Sequence, residues 1–103
     1  MLQCKQKKGS DYIKTTELIV SGRVQGVGFR NYVSQIAKDL NIKGTVRNLS
    51  DGDVKIIAQT DDDTLNKMVE RIKQPQHQFM KIKDVEIHDL QLDKVYDDFS
   101  VVY

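Results

Sequence analysis

The apolar positions of the chain alternate between the two-residue period of a strand and the three-to-four-residue period of a helix. Residues 17–21 contain the apolar run Leu18-Ile19-Val20 and are followed by Gly22, which is typical of a strand followed by a turn. From Phe29 onward the apolar side chains recur at every third or fourth position. This spacing predicts an amphipathic helix that ends around residues 41–43, before the stop signal of Gly44.

The middle of the chain predicts a hairpin and then a second helix. Residues 45–49 and 54–58 contain β-branched side chains, and the Asp51-Gly52 pair between them favours a tight turn, because glycine adopts a positive φ without strain. The acidic run in residues 61–64 suits the first turn of a helix, whose amide groups carry partial positive charge. We expect this helix to end at Pro75, because the residue before a proline avoids the helical conformation.

The last part of the chain predicts two further strands, in residues 82–92 and 99–103. The apolar parity changes between Ile87 and Leu90, which predicts a bulge near residues 88–89. The order of elements is strand, helix, strand, strand, helix, strand, with a short strand at the end. This order predicts an α+β fold, a ferredoxin-like βαββαβ sandwich with two helices on one face of a mostly antiparallel four- to five-stranded sheet.

Length and charge limit what the chain can be. Its 103 residues suit one domain, and residues 1–15 are basic without apolar periodicity, so we expect a flexible basic leader before a domain at residues 16–103. The formal net charge of +1 excludes whole-protein electrostatics as the basis of binding. No apolar run approaches the roughly 20 residues that cross a membrane, and the start lacks the apolar middle of a secretory signal. We therefore expect a cytoplasmic protein that does not bind membranes.

The side chains that commonly bind metals are few. Cys4 is the only cysteine, so the chain has no internal disulfide and no cysteine-built zinc site. The two histidines, His77 and His88, would need carboxylates to complete a metal site. We expect both to be surface residues, with no metal site and no cofactor.

The loop at residues 21–30 is the strongest candidate for a binding site. It joins a strand to a helix and contains three glycines, at positions 22, 26 and 28. Amide groups of such a loop can point inward, and the helix N-terminus adds about half a positive charge, so the loop suits an anion. Arg30 adds donors that match phosphate oxygens, in a place where a cation is otherwise unfavourable. The alternative is a structural glycine turn with surface arginines.

Charge is unevenly distributed along the chain. Residues 22–48 carry five basic side chains and one acidic side chain, a net charge of +4. Residues 84–98 carry six acidic side chains and one basic side chain, a net charge of −5. A nearly neutral protein can therefore present one positive pocket.

Asn48 is the second candidate site residue. It lies at the end of a predicted strand, on the same face as Val46 because side chains alternate along a strand. If Val46 faces the core, the Asn48 amide must be satisfied by backbone groups of the turn or by a ligand and water. Both interpretations remain open from the sequence: Asn48 shapes the turn at residues 50–52, or it serves a site.

Two ordered motifs resemble those of a known family. Residues 22–30, Gly-Arg-Val-Gln-Gly-Val-Gly-Phe-Arg, match every fixed position of the first acylphosphatase signature, G-x-V-Q-G-V-x-F-R. Residues 44–54 resemble the second signature, G-aromatic-V-x-N-x-x-x-G-x-V. Thr45 replaces the aromatic residue, and Thr60 stands where the family often has glycine. With the predicted βαββαβ order, the resemblance covers about residues 16–103.

The resemblance implies an enzyme, an acylphosphatase, that hydrolyses the carboxyl-phosphate anhydride of acyl phosphates to a carboxylate and inorganic phosphate, without metal and without a covalent intermediate. It implies two catalytic residues, Arg30 and Asn48, of which Asn48 orients the attacking water. It also implies that Arg30 and the loop residues hold the phosphate; these are Gly22, Arg23, Val24, Gln25, Gly26 and Val27. The partners would be a small-molecule acyl phosphate and inorganic phosphate, and we expect a monomer.

Two other functions suit the same fold. An RNA-binding module would carry aromatic residues on its central strands, and residues 18–21 and 54–58 contain none, so we expect no nucleic acid partner. A non-catalytic phosphate-binding or regulatory domain would use the same loop and arginine. Asn48 favours the enzyme, because anion binding alone needs no water-orienting amide. The helix face around residues 31–35 could touch the acyl group, but we expect a solvated or packed face there.

Overall fold

The structure, a computed structural model, describes residues 13–26, 28–74 and 80–103. Predictions for Cys4, Val27, Pro75 and His77 therefore lie outside the described residues. The described elements are β1 (Lys14–Arg23), α1 (Phe29–Asp39), β2 (Lys43–Asn48), β3 (Val54–Thr60), α2 (Asp62–Lys73), β4 (Lys81–Leu90) and β5 (Phe99–Val102). The described strands form one sheet in the order β4-β1-β3-β2-β5, in which only β2 and β5 pair in parallel. The predicted ferredoxin-like α+β fold is confirmed.

Both helices bury the apolar positions that their spacing predicted. The buried apolar side chains are Phe29, Val33, Ile36 and Ala37 on α1, and Leu65, Met68, Val69 and Ile72 on α2. The sheet contributes Leu18, Val20, Val46, Val54 and Ile56, all fully buried. Burial of one such large side chain contributes roughly 1.5–3 kcal/mol, so this core holds α1 firmly against the strands.

The two helices begin in different ways. The Asp61 carboxylate accepts from the Thr64 N–H at 2.7 Å at the start of α2, and this hydrogen bond holds the pKa of Asp61 below its ordinary value. In contrast, α1 begins after Gly28, which has no side chain to accept a bond, and its first turn contains no acidic residue. The first amide groups of α1 therefore lack a side-chain cap, which leaves them available to an anion.

β1 is longer than the sequence predicts. It begins at Lys14, three residues before the predicted start. Thr15 pairs with Gln59 of β3 on one side and with Leu90 of β4 on the other, so polar β-branched residues extend the strand between two neighbours. The folded domain therefore includes the last residues of the predicted leader, while residues 1–12 lie outside the described residues.

The irregular pairing of β1 and β4 lies at the opposite end from the predicted bulge. The register is continuous up to Ser21 and shifts between Ser21 and Gly22, so the bulge predicted near residues 88–89 is wrong. Gly22 adopts a φ of 126°, and a Cβ at this position would overlap the carbonyl oxygen of Lys81. The two backbones approach too closely there for any side chain. The apolar positions change parity because Leu90 lies on the face of the sheet away from the helices, so this change does not mark a bulge.

Candidate active site

The C-terminal ends of three strands lie together at one end of the sheet. β1 and β2 are both antiparallel to β3, and β5 is parallel to β2, so β1, β2 and β5 run in the same direction. The loop after β1, Asn48 at the end of β2 and Tyr103 after β5 therefore lie together, and α1 begins at the same place. We call this part of the molecule the site edge.

The loop after β1 turns the chain sharply into α1. Gly26 and Gly28 have φ angles of 76° and 82°, in the left-handed region that side chains disfavour. Val24 is 1% exposed and anchors the loop in the core. This backbone path places the uncapped start of α1 at the site edge.

A pocket of about 110 Å³ opens at the start of α1. Its described lining residues are Val24, Gly26, Gly28, Phe29, Arg30, Asn31, Asn48, Val101 and Tyr103. The volume is well below the roughly 300 Å³ of the smallest typical small-molecule sites. The pocket therefore suits a small anion and a water molecule rather than a large ligand.

Arg30 brings positive charge to this pocket from the first turn of α1. The side chain is half-buried, and its Nη1 donates to the carbonyl oxygen of Val102 at 3.2 Å. Its guanidinium carbon lies 4.6 Å from the centre of the Tyr103 ring. None of the ion pairs between described residues includes Arg30. Because the N-terminus of α1 repels a cation, the position of Arg30 favours an anion bound between the guanidinium and the helix N-terminus.

Asn48 brings a buried acceptor to the same pocket. Its Oδ1 is buried and has no hydrogen-bond partner among the described residues. The turn after it is held by other groups: the Leu49 N–H donates to the Asp53 carbonyl at 2.8 Å, and the Asp53 N–H donates to Asp51 Oδ1 at 3.0 Å. A buried acceptor without a partner costs about 1–3 kcal/mol, so the Asn48 side chain suits a ligand or water better than a turn-forming role.

Gln25 connects the loop to the β2–β3 hairpin. Its Nε2 donates to the carbonyl oxygens of Leu49 and Asp53, at 2.7 and 2.8 Å. Leu49 directly follows Asn48 in the chain, so this side chain fixes the position of the loop relative to Asn48. The carboxamide of Gln25 therefore points at the hairpin rather than into the pocket.

The structure brings part of the predicted site into one pocket. The predicted residues in its lining are Val24, Gly26, Arg30 and Asn48. Gly22 and Arg23 pair with β4, and the Arg23 side chain is exposed. Together with Gln25 they lie beside the pocket, outside its lining in the described part of the chain, and Val27 lies outside the described residues.

The charge distribution of the sequence is partly reproduced in space. β4 begins beside Arg23 at the site edge and ends at the opposite edge, where the Gln59 amide donates to the Lys94 carbonyl at 2.7 Å. Most of the acidic segment 84–98 therefore lies away from the pocket. Of the basic side chains in residues 22–48, Arg23, Arg30 and Arg47 lie towards the site edge, and Lys38 and Lys43 lie towards the opposite edge. Fewer basic side chains therefore lie near the pocket than the sequence predicted, and all of those from residues 22–48 are arginines.

Five described lining residues are not among the predicted site residues. Gly28, Phe29 and Asn31 lie at the start of α1, and Val101 and Tyr103 reach the pocket through the parallel pairing of β5 with β2. For Val101 and Tyr103, the only signal in the sequence was the short final strand, and it did not show which edge of the sheet β5 joins. Asn31 lines the pocket, although the face around residues 31–35 was expected to be solvated or packed. The neighbouring Tyr32 is packed as expected, and its hydroxyl donates to the carbonyl of Arg71 at 2.7 Å.

The two departures from the family pattern lie outside the pocket lining. Thr45 lies within β2, opposite Ile57 and Ser100. Thr60 is the last residue of β3 and is 6% exposed. Neither threonine contacts the pocket, so the loop, Arg30 and Asn48 come together without an aromatic residue or a glycine at these positions.

Comparison with known proteins identifies the family. The family model described as Acylphosphatase matches residues 16–101. An acylphosphatase of Ligilactobacillus salivarius is 43% identical over 91 residues, which cover 88% of this chain and 100% of the relative. The crystal structure of acylphosphatase from Bacillus subtilis is 36% identical and superposes with a TM-score of 0.80 over 86% of this chain and 98% of that chain. An acylphosphatase structure from Coxiella burnetii is 30% identical, with a TM-score of 0.78 over 94% of this chain and 100% of that chain. The chain belongs to the acylphosphatase family.

Proposed function

We propose that the pocket at the start of α1 holds the phosphoryl group of an acyl phosphate and that Asn48 orients the water that attacks it. Membership of the family gives the reaction: water breaks the carboxyl-phosphate anhydride bond and yields a carboxylate and inorganic phosphate. The observation that carries the assignment of residues is that Arg30 and Asn48 line the same small pocket, and that Asn48 Oδ1 is buried without a hydrogen-bond partner among the described residues.

The phosphoryl group is held by charge and by backbone donors. The glycines of the loop and the uncapped first turn of α1 offer N–H groups, and the helix N-terminus adds a favourable dipole. Arg30 supplies a planar fork of charged donors, and each hydrogen bond to a charged group contributes about 1.5–3 kcal/mol. Phosphoryl transfer asks the protein mainly for positioning and charge stabilisation, and these groups supply both.

The water is positioned by an amide rather than activated by a base. Asn48 Oδ1 accepts a hydrogen bond from the water, which turns an oxygen lone pair of the water towards phosphorus. The new phosphorus–oxygen bond forms as the bond to the acyl oxygen breaks, and the carboxylate leaves with the electron pair. The water proton passes to solvent or to a phosphate oxygen.

The leaving group explains why the pocket can work without a general acid. A carboxylate is stable unprotonated at neutral pH, because its pKa is near 4. We therefore propose that hydrolysis needs neither a proton donor nor a bound metal or other cofactor. Among the described residues, no group of three or more His, Cys, Asp or Glu side chains is placed to hold a metal ion.

The experiment compares benzoyl phosphate with phenyl phosphate, with and without an excess of chelator. We expect benzoyl phosphate to be hydrolysed equally well in both conditions and phenyl phosphate to be hydrolysed far more slowly. Dependence on added Mg²⁺ would contradict the metal-free mechanism. Binding of inorganic phosphate without turnover of either ester or anhydride would instead indicate the non-catalytic phosphate-binding domain.

We also propose that the protein acts as a cytoplasmic monomer on small molecules, without a nucleic acid or membrane partner. The pocket supports a monomer, since one chain supplies Arg30, Asn48 and the loop. Neither described helix is both long enough and apolar enough to cross a membrane. Light scattering on the full chain tests the first point, and a mass of two chains at assay concentration would refute it.

A further inference from the structure

Tyr103 lies at the mouth of the pocket with most of its surface open. Its ring centre is 4.6 Å from the guanidinium carbon of Arg30, and the residue lines the pocket. It is nevertheless 93% exposed. One face of the ring therefore lies against Arg30, and the other face is open to solvent next to the phosphate site. A tyrosine ring is a large apolar surface, so its open face can receive an apolar group.

The direction of the reaction points the acyl group towards this ring. In displacement at phosphorus, the attacking and leaving oxygens lie roughly in line on opposite sides. In the proposed function the water lies at Asn48, so the leaving oxygen points away from Asn48. Tyr103 and Asn31 are exposed residues of the pocket lining, and of these only Tyr103 is aromatic.

The size of the pocket supports the same direction. At about 110 Å³ the pocket is smaller than typical sites that enclose a whole small molecule. We therefore expect a larger acyl group to extend beyond the pocket, along its rim. The Tyr103 ring lies on this rim, because it is exposed and covers one face of the Arg30 guanidinium.

We infer that Tyr103 is a specificity-determining residue, whose open ring face packs against the acyl group and favours acyl phosphates with aromatic acyl groups over acetyl phosphate. The inference rests on the proposed function, because it needs the phosphoryl group at Arg30 and the water at Asn48. Contact between two aromatic rings favours an aryl substrate roughly 3- to 10-fold. A methyl group covers too little of the ring to gain as much.

The test measures kcat/KM for benzoyl phosphate and acetyl phosphate, together with inhibition by inorganic phosphate, on four proteins. These are the wild type, Tyr103→Ala, Tyr103→Phe and Tyr96→Ala. We expect the ratio of benzoyl to acetyl kcat/KM to fall about 3- to 10-fold in Tyr103→Ala and to stay near the wild-type value in Tyr103→Phe. Tyr96 is a matched control, because its ring lies 4.9 Å from Lys94 Nζ at the opposite edge of the sheet, and Tyr96→Ala should leave the ratio unchanged.

The outcomes separate this inference from the proposed function. An unchanged ratio in an active Tyr103→Ala enzyme would overturn the inference alone. Equal losses on both substrates, with weaker inhibition by inorganic phosphate, would also overturn it, because the ring would then act only by holding Arg30. If the wild type hydrolysed neither substrate, the proposed function itself would fail, and the inference with it. A selective loss on benzoyl phosphate, with phosphate inhibition retained, supports it.

Discussion

Replacement of Gln25 by methionine should lower both stability and turnover, because this side chain connects the loop after β1 to the β2–β3 hairpin that carries Asn48. Its amide nitrogen donates to the carbonyl oxygens of Leu49 and Asp53, at 2.7 and 2.8 Å. Methionine has nearly the same length and shape but no donor. The substitution therefore removes both hydrogen bonds and leaves a side chain of similar volume in place.

The expected loss of stability follows from the partners that remain. The Leu49 carbonyl keeps the Gly52 N–H at 3.3 Å, and the Asp53 carbonyl keeps the Leu49 N–H at 2.8 Å. Neither acceptor loses its last partner, so the large penalty of an unpaired buried group does not apply. Two ordinary hydrogen bonds at roughly 0.5–1.5 kcal/mol each then give a loss of about 1–3 kcal/mol in the free energy of unfolding.

The expected loss of activity follows from the position of Asn48, one residue before Leu49. Without the two Gln25 hydrogen bonds, the loop proposed to hold the phosphoryl group is no longer tied to the strand end proposed to hold the water. Misplacement of reacting groups by about 1 Å can lower a rate roughly 10²-fold. We therefore expect kcat to fall at least about tenfold, with a smaller change in inhibition by inorganic phosphate, since Arg30 and the helix start are untouched.

Urea unfolding gives the stability, and the hydrolysis of benzoyl phosphate gives kcat and KM. Gln35→Met is the matched control, because the Gln35 amide donates at 2.9 Å to Asp39 on the exposed surface of α1, away from the pocket. This control should cost less than about 0.5 kcal/mol and leave kcat unchanged. If Gln25→Met lost stability but kept its kcat, Gln25 would only stabilise the fold. The idea that it positions the loop relative to Asn48 for catalysis would then be refuted.

Three further predictions test the site and one helix start. Arg30→Ala should lower kcat/KM by about 10²-fold or more and weaken inhibition by inorganic phosphate, whereas Arg47→Ala, an exposed arginine outside the pocket lining, should change neither by more than a few fold. Asn48→Ala should lower kcat roughly 10²-fold while phosphate inhibition and urea stability change little, because the Oδ1 atom makes no hydrogen bond to any described residue; equal losses in rate and phosphate affinity would contradict its role towards water. The pKa of Asp61 is lowered by the Thr64 N–H, so its stabilisation is present above the ordinary pKa of 3.8 and is lost as pH falls through the folded value. Asp61→Asn keeps an acceptor but does not titrate, so its stability deficit relative to wild type should shrink between pH 6 and pH 2, as measured by urea unfolding at each pH; a constant deficit would refute the assignment.

The helices and the order of elements were predictable because local patterns determine them. The apolar spacing from Phe29 identified the buried face of α1, and the acidic residues before Leu65 marked the start of α2. The end of α1 was placed two to four residues too late. α1 stops at Asp39, and Asn41 adopts a positive φ of 61°, which a helix cannot contain.

The parts that were not predictable depend on neighbours that are distant in sequence. The extension of β1 to Lys14 depends on pairing with Thr60, Gln59 and Leu90, which a polar Lys-Thr-Thr segment does not reveal. The register shift at Gly22 follows from the close approach of the Lys81 backbone, which apolar parity does not record. For the site, the loop, Arg30 and Asn48 could be found from the glycine spacing and the motifs, because each lies within one short, continuous motif of the chain. The direction of the Gln25 side chain and the presence of Tyr103 could not, because both depend on how strands meet.

The composition of the pocket also determines which phosphate compounds it can hydrolyse. No carboxyl, imidazole or thiol side chain is found in its lining within the described part of the chain, so a leaving oxygen receives no proton from a strong donor. A carboxylate with a pKa near 4 leaves without a proton, whereas a phenolate with a pKa near 10 is a far poorer leaving group. In the proposed function the pocket stabilises the charge on the phosphoryl group of both kinds of substrate, so we expect the leaving group to decide the rate. We therefore expect selectivity for an anhydride over an ester to come from the leaving group itself, and selectivity among anhydrides to come from the rim at Tyr103.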